Sequence, residues 1–178
     1  MDMRARKTDR SIRGAFLQLR SRKPLERITV KELSALAEIS KATFYLHYQD
    51  IYALSNQMQE EMIQNIIDDI VSSGIAVFDT VPFSWKLLEA FRSRQSLIDT
   101  LFSGAQSAVL PLKIKEGIHA YTLRTRPDLT DDVRFSVILS YQVHGAYQAY
   151  MENKKRFGED AVLDILEEIA SHIKQIGY

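Results

Sequence analysis

The stretch "ISKATFYLHYQD", Ile39 to Asp50, sets two tyrosines, a phenylalanine and a histidine in a segment whose only formal charges are Lys41 and Asp50. Read as a helix opening at Ser40, it has two faces. Phe44 and Tyr48, four residues apart, fall on the side of Ile39 and should point inward. Lys41, Ala42, Tyr45 and His47 fall largely elsewhere on the wheel and should be displayed, with Thr43 and His47 aligned at i, i+4. Hydroxyls and an imidazole N–H suit phosphate oxygens, and a lysine near a helix start can reach a base edge in a major groove. Packing of Tyr45 and His47 on a neighbouring helix is the competing reading, and the flanking sequence weighs against it.

Two helix starts follow one another here. Thr29 with Glu32 has the spacing of a capping box, stapled by Ile28 and Leu33. Ser40 is an N-cap candidate, stapled by Ile39 and Phe44. The intervening helix has room for about two turns, with Val30, Leu33, Leu36 and Ala37 on one face. Upstream, Ile12, Ala15, Phe16 and Leu19 mark a first amphipathic helix, with Arg10, Arg13 and Arg20 elsewhere on its wheel, ending before Pro24. Two short stapled helices joined by a few residues predict a helix-turn-helix.

Charge separates along the chain. Residues 1–50 carry 11 Lys and Arg against 6 Asp and Glu, a net of +5; residues 51–178 carry 12 against 17, a net of −5. This predicts a basic domain over 1–50 with an anionic partner, followed by a helical domain over 51–178 with an apolar or self-complementary one. The chain has 178 residues, 46% hydrophobic and 26% charged, ordinary for a globular protein. No apolar run is long enough to span a bilayer and no apolar leader opens the chain, so a cytoplasmic protein without a membrane partner is expected. The absence of cysteine excludes disulfides and thiolate chemistry.

Residues from about 6 to 66, through Thr29, Ser40, Thr43, Phe44, Tyr45, His47 and Tyr48, resemble the N-terminal DNA-binding domain of the TetR/AcrR transcriptional regulators. That family carries a Thr-capped helix, a short turn and a "Ser-x-x-Thr-Phe/Leu-Tyr-x-His-Phe/Tyr" recognition helix, here within about residues 29–48. The resemblance implies an all-α, Ω-shaped homodimer on a palindromic double-stranded DNA operator, without a cofactor. It places Thr29, Thr43 and His47 on phosphates beside the Ser40 cap, and turns Lys31, Lys41, Ala42 and Tyr45 to the bases. Two departures stand out: Glu38 occupies the turn position where the family usually has Gly, and Ile51, beside Asp50, replaces a phosphate-binding Lys. Arg4, Arg6 and Lys7 are the residues expected to compensate, on the backbone or in the minor groove.

Beyond Ile51, the spacing of Leu54, Met58, Met62, Ile66, Ile67 and Ile70 predicts a long helix ending at Ser72-Ser73-Gly74, then helices over 84–102, 107–124, 131–154 and 159–176. Phe135, Ile138, Gln142, Gly145, Ala146 and Ala149, with Val162, Ile165, Leu166, Ile169, Ile173 and Ile176, form stripes that fit a four-helix dimer interface or close the domain's own core. The ending "HGAYQAYMENKKRFGED" resembles the penultimate helix of regulators related to dihydroxyacetone-kinase operon activators. Trp85, Leu88, Phe91, Leu101, Phe102, Ile118, Tyr121 and Tyr141 are the candidates for a small-molecule or protein effector site, with an ordinary core as the alternative. Glu116, His119 and His144 are too sparse to predict a metal site. No nucleophile, phosphate loop or carboxylate pair has a diagnostic spacing, so no enzymatic activity is expected. The function expected is a repressor released by an effector; an all-helical protein-interaction adaptor, or an activator controlled by a partner, are the alternatives.

Overall fold

Ile12, Ala15, Phe16 and Leu19 share one face of helix α1 (Met3–Arg20) and all four are buried. This computed structural model describes residues 3–75 and 80–177; the side chain of Ile176 lies outside the described residues. Helix α2 (Val30–Leu36) starts at Thr29, whose hydroxyl accepts from Glu32 N at 3.2 Å. The Glu32 carboxylate pairs with Lys23 Nζ instead of returning to the Thr29 amide. Leu33 and Ala37 are buried, whereas Leu36, expected on that face, is 41% exposed. Helix α3 (Lys41–Tyr45) is short, but backbone bonds from His47 and Tyr48 to Phe44 O carry its winding three residues further.

The turn between α2 and α3 is closed by two backbone bonds, Ile39 N to Ser34 O at 3.0 Å and Glu38 N to Ala35 O at 3.2 Å. This 6→1 and 5→2 pair requires a left-handed residue at its centre. That residue is Glu38, with φ 55°, so the departure noted in the sequence has its strained consequence.

Helix α4 (Ile51–Ser72) opens with Asp50 Oδ1 accepting from Ala53 N at 2.7 Å. The remaining helices are α5 (Thr80–Ser93), α6 (Gln95–Leu101), α7 (Leu110–Thr125), α8 (Val133–Phe157) and α9 (Glu159–Gly177). Every element among the described residues is α- or 3-10-helical, as the all-α expectation requires. None of these helices is long and apolar enough to cross a membrane. The single helix expected over 84–102 is two helices, broken at Arg94. The break matters because the chain divides into two compact units, residues 1–61 with 95–107, and residues 62–94 with 108–178. The boundary between the units falls inside α4, and α6 belongs with α1.

The first unit has a core of Ile12, Phe16, Leu33, Phe44, Leu54, Ile98, Leu101 and Phe102, all less than 9% exposed. Arg20, expected on the outer face of α1, is buried with it. Its guanidinium donates to Lys23 O at 3.1 Å and Ser103 O at 3.3 Å, so it satisfies carbonyls in the turns that follow α1 and α6, and burial lowers its pKa. Arg13 is the centre of a polar staple. Its Nε donates to Asp9 at 2.8 Å and Tyr48 OH at 3.1 Å, and its Nη2 to Glu61 Oε1 at 3.0 Å. Nη1 meets the other Glu61 oxygen, and Tyr48 OH donates to Asp9. Hydrogen bonding to Arg13 holds the Glu61 carboxyl below its ordinary pKa, while burial first and Asp9 second push the Tyr48 phenol up.

In the second unit α5 packs on α9, α9 on α8, and α8 on α7. Gly117 brings α7 close to α4: a Cβ there would stand 2.8 Å from Ile67 Cδ1 and 3.0 Å from Ile63 Cγ2. Helix α8 stops at Gly158, φ 86°. Just beyond it Glu159 accepts from Tyr150 OH and from Arg92 Nη2, each at 2.8 Å. Burial, then this bond, pushes the Tyr150 phenol up to about 12.

Glu38→Gly should stabilise the protein by about 0.5–1 kcal/mol by removing the left-handed penalty, read as a higher denaturation midpoint in urea. The Glu61 shift has a definite sign: a carboxyl lowered on folding contributes stability at neutral pH that is lost as pH falls through the carboxylate range. Glu61→Gln should therefore be less stable than wild type at neutral pH and lose less stability on going to about pH 4.

Candidate nucleic-acid interface

The polarity of α3 follows from which residues its neighbours consume. Phe44 is fully buried, its ring 5.6 Å edge-on from Tyr45 and 5.9 Å from Tyr48. Tyr48 is buried with its hydroxyl in the Arg13 staple. Both anchors lie where the spacing of the sequence put them. The opposite side is open: Lys41 and Ala42 are exposed and Tyr45 is 57% exposed. His47 is half-buried and stacks on Tyr48 at 6.4 Å.

Ser40 is the predicted cap. Its Oγ accepts from Thr43 N at 3.0 Å and lies 2.8 Å from Thr43 Oγ1. The two hydroxyls share one hydrogen between them, leaving the second available to an outside acceptor. Thr29 and Lys31 are exposed at the start of α2, and Arg4, Arg6 and Lys7 are exposed in the first turns of α1. All eleven expected residues thus fall within the first unit. The α2–α3 pair itself brings together Thr29, Lys31, Ser40, Lys41, Ala42, Thr43, Tyr45 and His47.

Sequence reasoning passed over Leu46. It is 85% exposed at the end of α3, and Leu46 N bonds to Ala42 O at 3.2 Å, so it stands one turn beyond Ala42. The i, i+4 relation to Ala42 was the available signal. Asp50, at the expected start of the long helix, is the cap of α4.

The other expected sites fare less evenly. Phe102, with Leu101, lies in the core of the first unit, while Trp85, Leu88, Phe91, Ile118, Tyr121 and Tyr141 are in the second. Trp85 and Tyr141 are 39% and 66% exposed; Leu88, Phe91 and Tyr121 are half-buried and Ile118 is core. Phe135, expected at a dimer interface, is buried within the unit, stacked on His119 at 5.9 Å. Ile138, Gln142 and Ala149 are half-buried and Gly145 and Ala146 exposed along α8. Ile165 and Ile169 are exposed on α9, with Ile173 half-buried. An open groove of about 560 Å³ runs between them, lined by Val137, Ile138, Tyr141, Ile165, Ile169 and Ile173 with Glu168 and His172. Among the described residues no three His, Asp or Glu converge to hold a metal; His144 Nδ1 lies 3.1 Å from Ser140 O.

Comparison of the chain with protein-family models, with curated proteins and with solved structures found no match to any of them.

Ser40→Ala removes the acceptor for the first amides of α3 and should cost about 1 kcal/mol of stability. Thr29→Ala should cost a similar amount at α2. Urea midpoints compared with wild type measure both; unchanged midpoints would remove the caps from the account.

Proposed function

We propose that this protein is a sequence-specific, DNA-binding transcriptional regulator of TetR/AcrR type, a homodimer whose helix-turn-helix is α2 and α3. The observation that carries the reading is the outward face of α3. There Lys41, Ala42 and Tyr45 are exposed with Thr43 and His47 beside them, on a helix whose inward face is fully committed to Phe44 and Tyr48. Residues 39–49 hold no carboxylate, as a surface against polyphosphate requires. Thr29, Thr43 and His47 position the backbone, and Lys31, Lys41, Ala42 and Tyr45 address bases. The resemblance stated for residues 6–66 supports the same assignment.

One head is not enough. From Lys41 to Leu46 α3 rises about 7.5 Å, roughly two base-pair steps, so specificity needs a second head about 34–36 Å away. The apolar groove of α8 and α9, with Val137 and Tyr141 facing Ile165 and Ile169, favours pairing of two copies along these helices. An effector that prefers one separation of the heads would then release the operator through its differential affinity for the two states.

Selection of bound duplexes from a random library tests the function directly: a palindrome is expected, and retention on DNA should fall steeply with salt through counterion release. A protein-interaction adaptor would give neither. Lys41→Ala and Tyr45→Ala should each cost about 1–3 kcal/mol at particular base pairs. Thr43→Ala and His47→Ala should instead weaken all sequences alike. Gly145→Arg tests the dimer. No atom lies within 4 Å of a Cβ at Gly145, so the arginine fits the protomer. Light scattering should then find a folded monomer with weakened operator binding, and a persisting dimer would refute this interface.

A further inference from the structure

Leu46 is among the most exposed large apolar side chains of the described residues, at 85%, while its neighbours Phe44 and Tyr48 are buried. It does not stand alone. Ala42 lies one turn before it and Tyr45 beside it, both exposed, so a methyl, a phenol ring and an isobutyl group share one side of α3. The edge contact of Tyr45 on Phe44 at 5.6 Å fixes the ring next to this patch. Lys41, the one formal charge among residues 39–49, stands at the start of the same helix, so the apolar patch adjoins a single cation. A lone exposed leucine needs no explanation; an apolar triad beside a lysine on the outward face of the helix does. In the major groove, the apolar feature of a base edge is the C5 methyl of thymine.

We propose that Leu46, with Ala42 and Tyr45, is a specificity-determining patch that reads thymine methyl groups, so that each operator half-site carries thymine opposite α3. The inference rests on the DNA-binding reading and adds the class of base that the helix selects. Lys41 then takes a guanine edge at the neighbouring step, where its ammonium can meet O6 and N7. Leu46 contributes by excluding water from the methyl group, not by hydrogen bonding. Its effect should therefore depend on that one carbon and should leave the electrostatic part of binding untouched.

The test uses the full chain and the tightest duplex from the random-library selection. Each thymine is replaced singly by deoxyuracil, which keeps every hydrogen-bonding group and lacks only the methyl. Wild type should bind about fourfold more weakly at one or two positions in each half-site, the worth of one buried methyl. Leu46→Ala should bind the thymine and deoxyuracil duplexes equally at one of those positions, with the salt slope and the urea midpoint of wild type. Equal wild-type affinity for all substituted duplexes would overturn methyl reading while leaving DNA binding intact. A thymine preference retained in Leu46→Ala would overturn the role of this residue. So would a change in oligomeric mass in that variant with the preference unchanged, since the leucine would then be a protein contact. Absence of salt-dependent binding to any duplex would remove the underlying function, and this inference with it.

Discussion

The first unit depends on one guanidinium. Helices α2 and α3, of seven and five residues, are far shorter than the ~12–15 residues at which an isolated helix becomes marginally stable in water. Something outside them must hold their shape. Arg13 joins Asp9 on its own helix, Tyr48 beyond the end of α3 and Glu61 on α4, so three segments distant in sequence converge on a single planar group. Arginine suits this place because its donors are fixed in direction and it stays charged at any working pH. A lysine, with three freely rotating donors on one atom, would not hold these partners in fixed directions or grip Glu61 bidentately. The staple is partly open to solvent, with the Glu61 side chain 45% exposed, so its contribution is chiefly geometric: it fixes where the two short helices stand.

From that anchoring the surface chemistry follows. Once Tyr48 is bound through its hydroxyl and Phe44 through its ring, the rotation of α3 about its axis is set, and Lys41, Ala42, Tyr45 and Leu46 have no inward alternative. The two hydroxyl caps act at the other end of each helix. Buried anchors, caps and outward groups are thus three consequences of one amphipathic pattern, and the functional reading draws on the third.

Much of this was legible in residue spacing. Both caps, the inward pair of α3, the end of α1 before Pro24 and the stop of α8 at Gly158 each rest on local rules that act within one turn of helix. What escaped notice was non-local. Arg20 looked like an outer residue because a helical wheel cannot register carbonyls brought to it from Ser103. Phe102 was placed on one helix with Trp85 and Phe91 because apolar periodicity runs on through Arg94, where the helix breaks. Phe135 shared a stripe with Ile138 and Gly145, yet a stripe wider than one face divides between a core and a surface, and only the packing of α7 decides where. Leu46 was passed over for a different reason: an apolar side chain carries no chemical signature until it is found exposed.

The close approach at Gly117 bears on how freely this chain can vary. Hydrogen is the only side chain that clears Ile63 and Ile67 without moving them, and both are fully buried. Every codon change that alters this glycine adds at least a Cβ, so the position has no conservative neighbour in sequence space. The two isoleucines are bound by the same geometry. Trimming one would make room opposite the glycine but open a void beside the other, and an interior packed to crystal density penalises voids. The three residues should therefore drift together or not at all. The exposed positions of α3 carry no such mutual constraint, so they can vary while the crossing of α4 and α7 stays fixed.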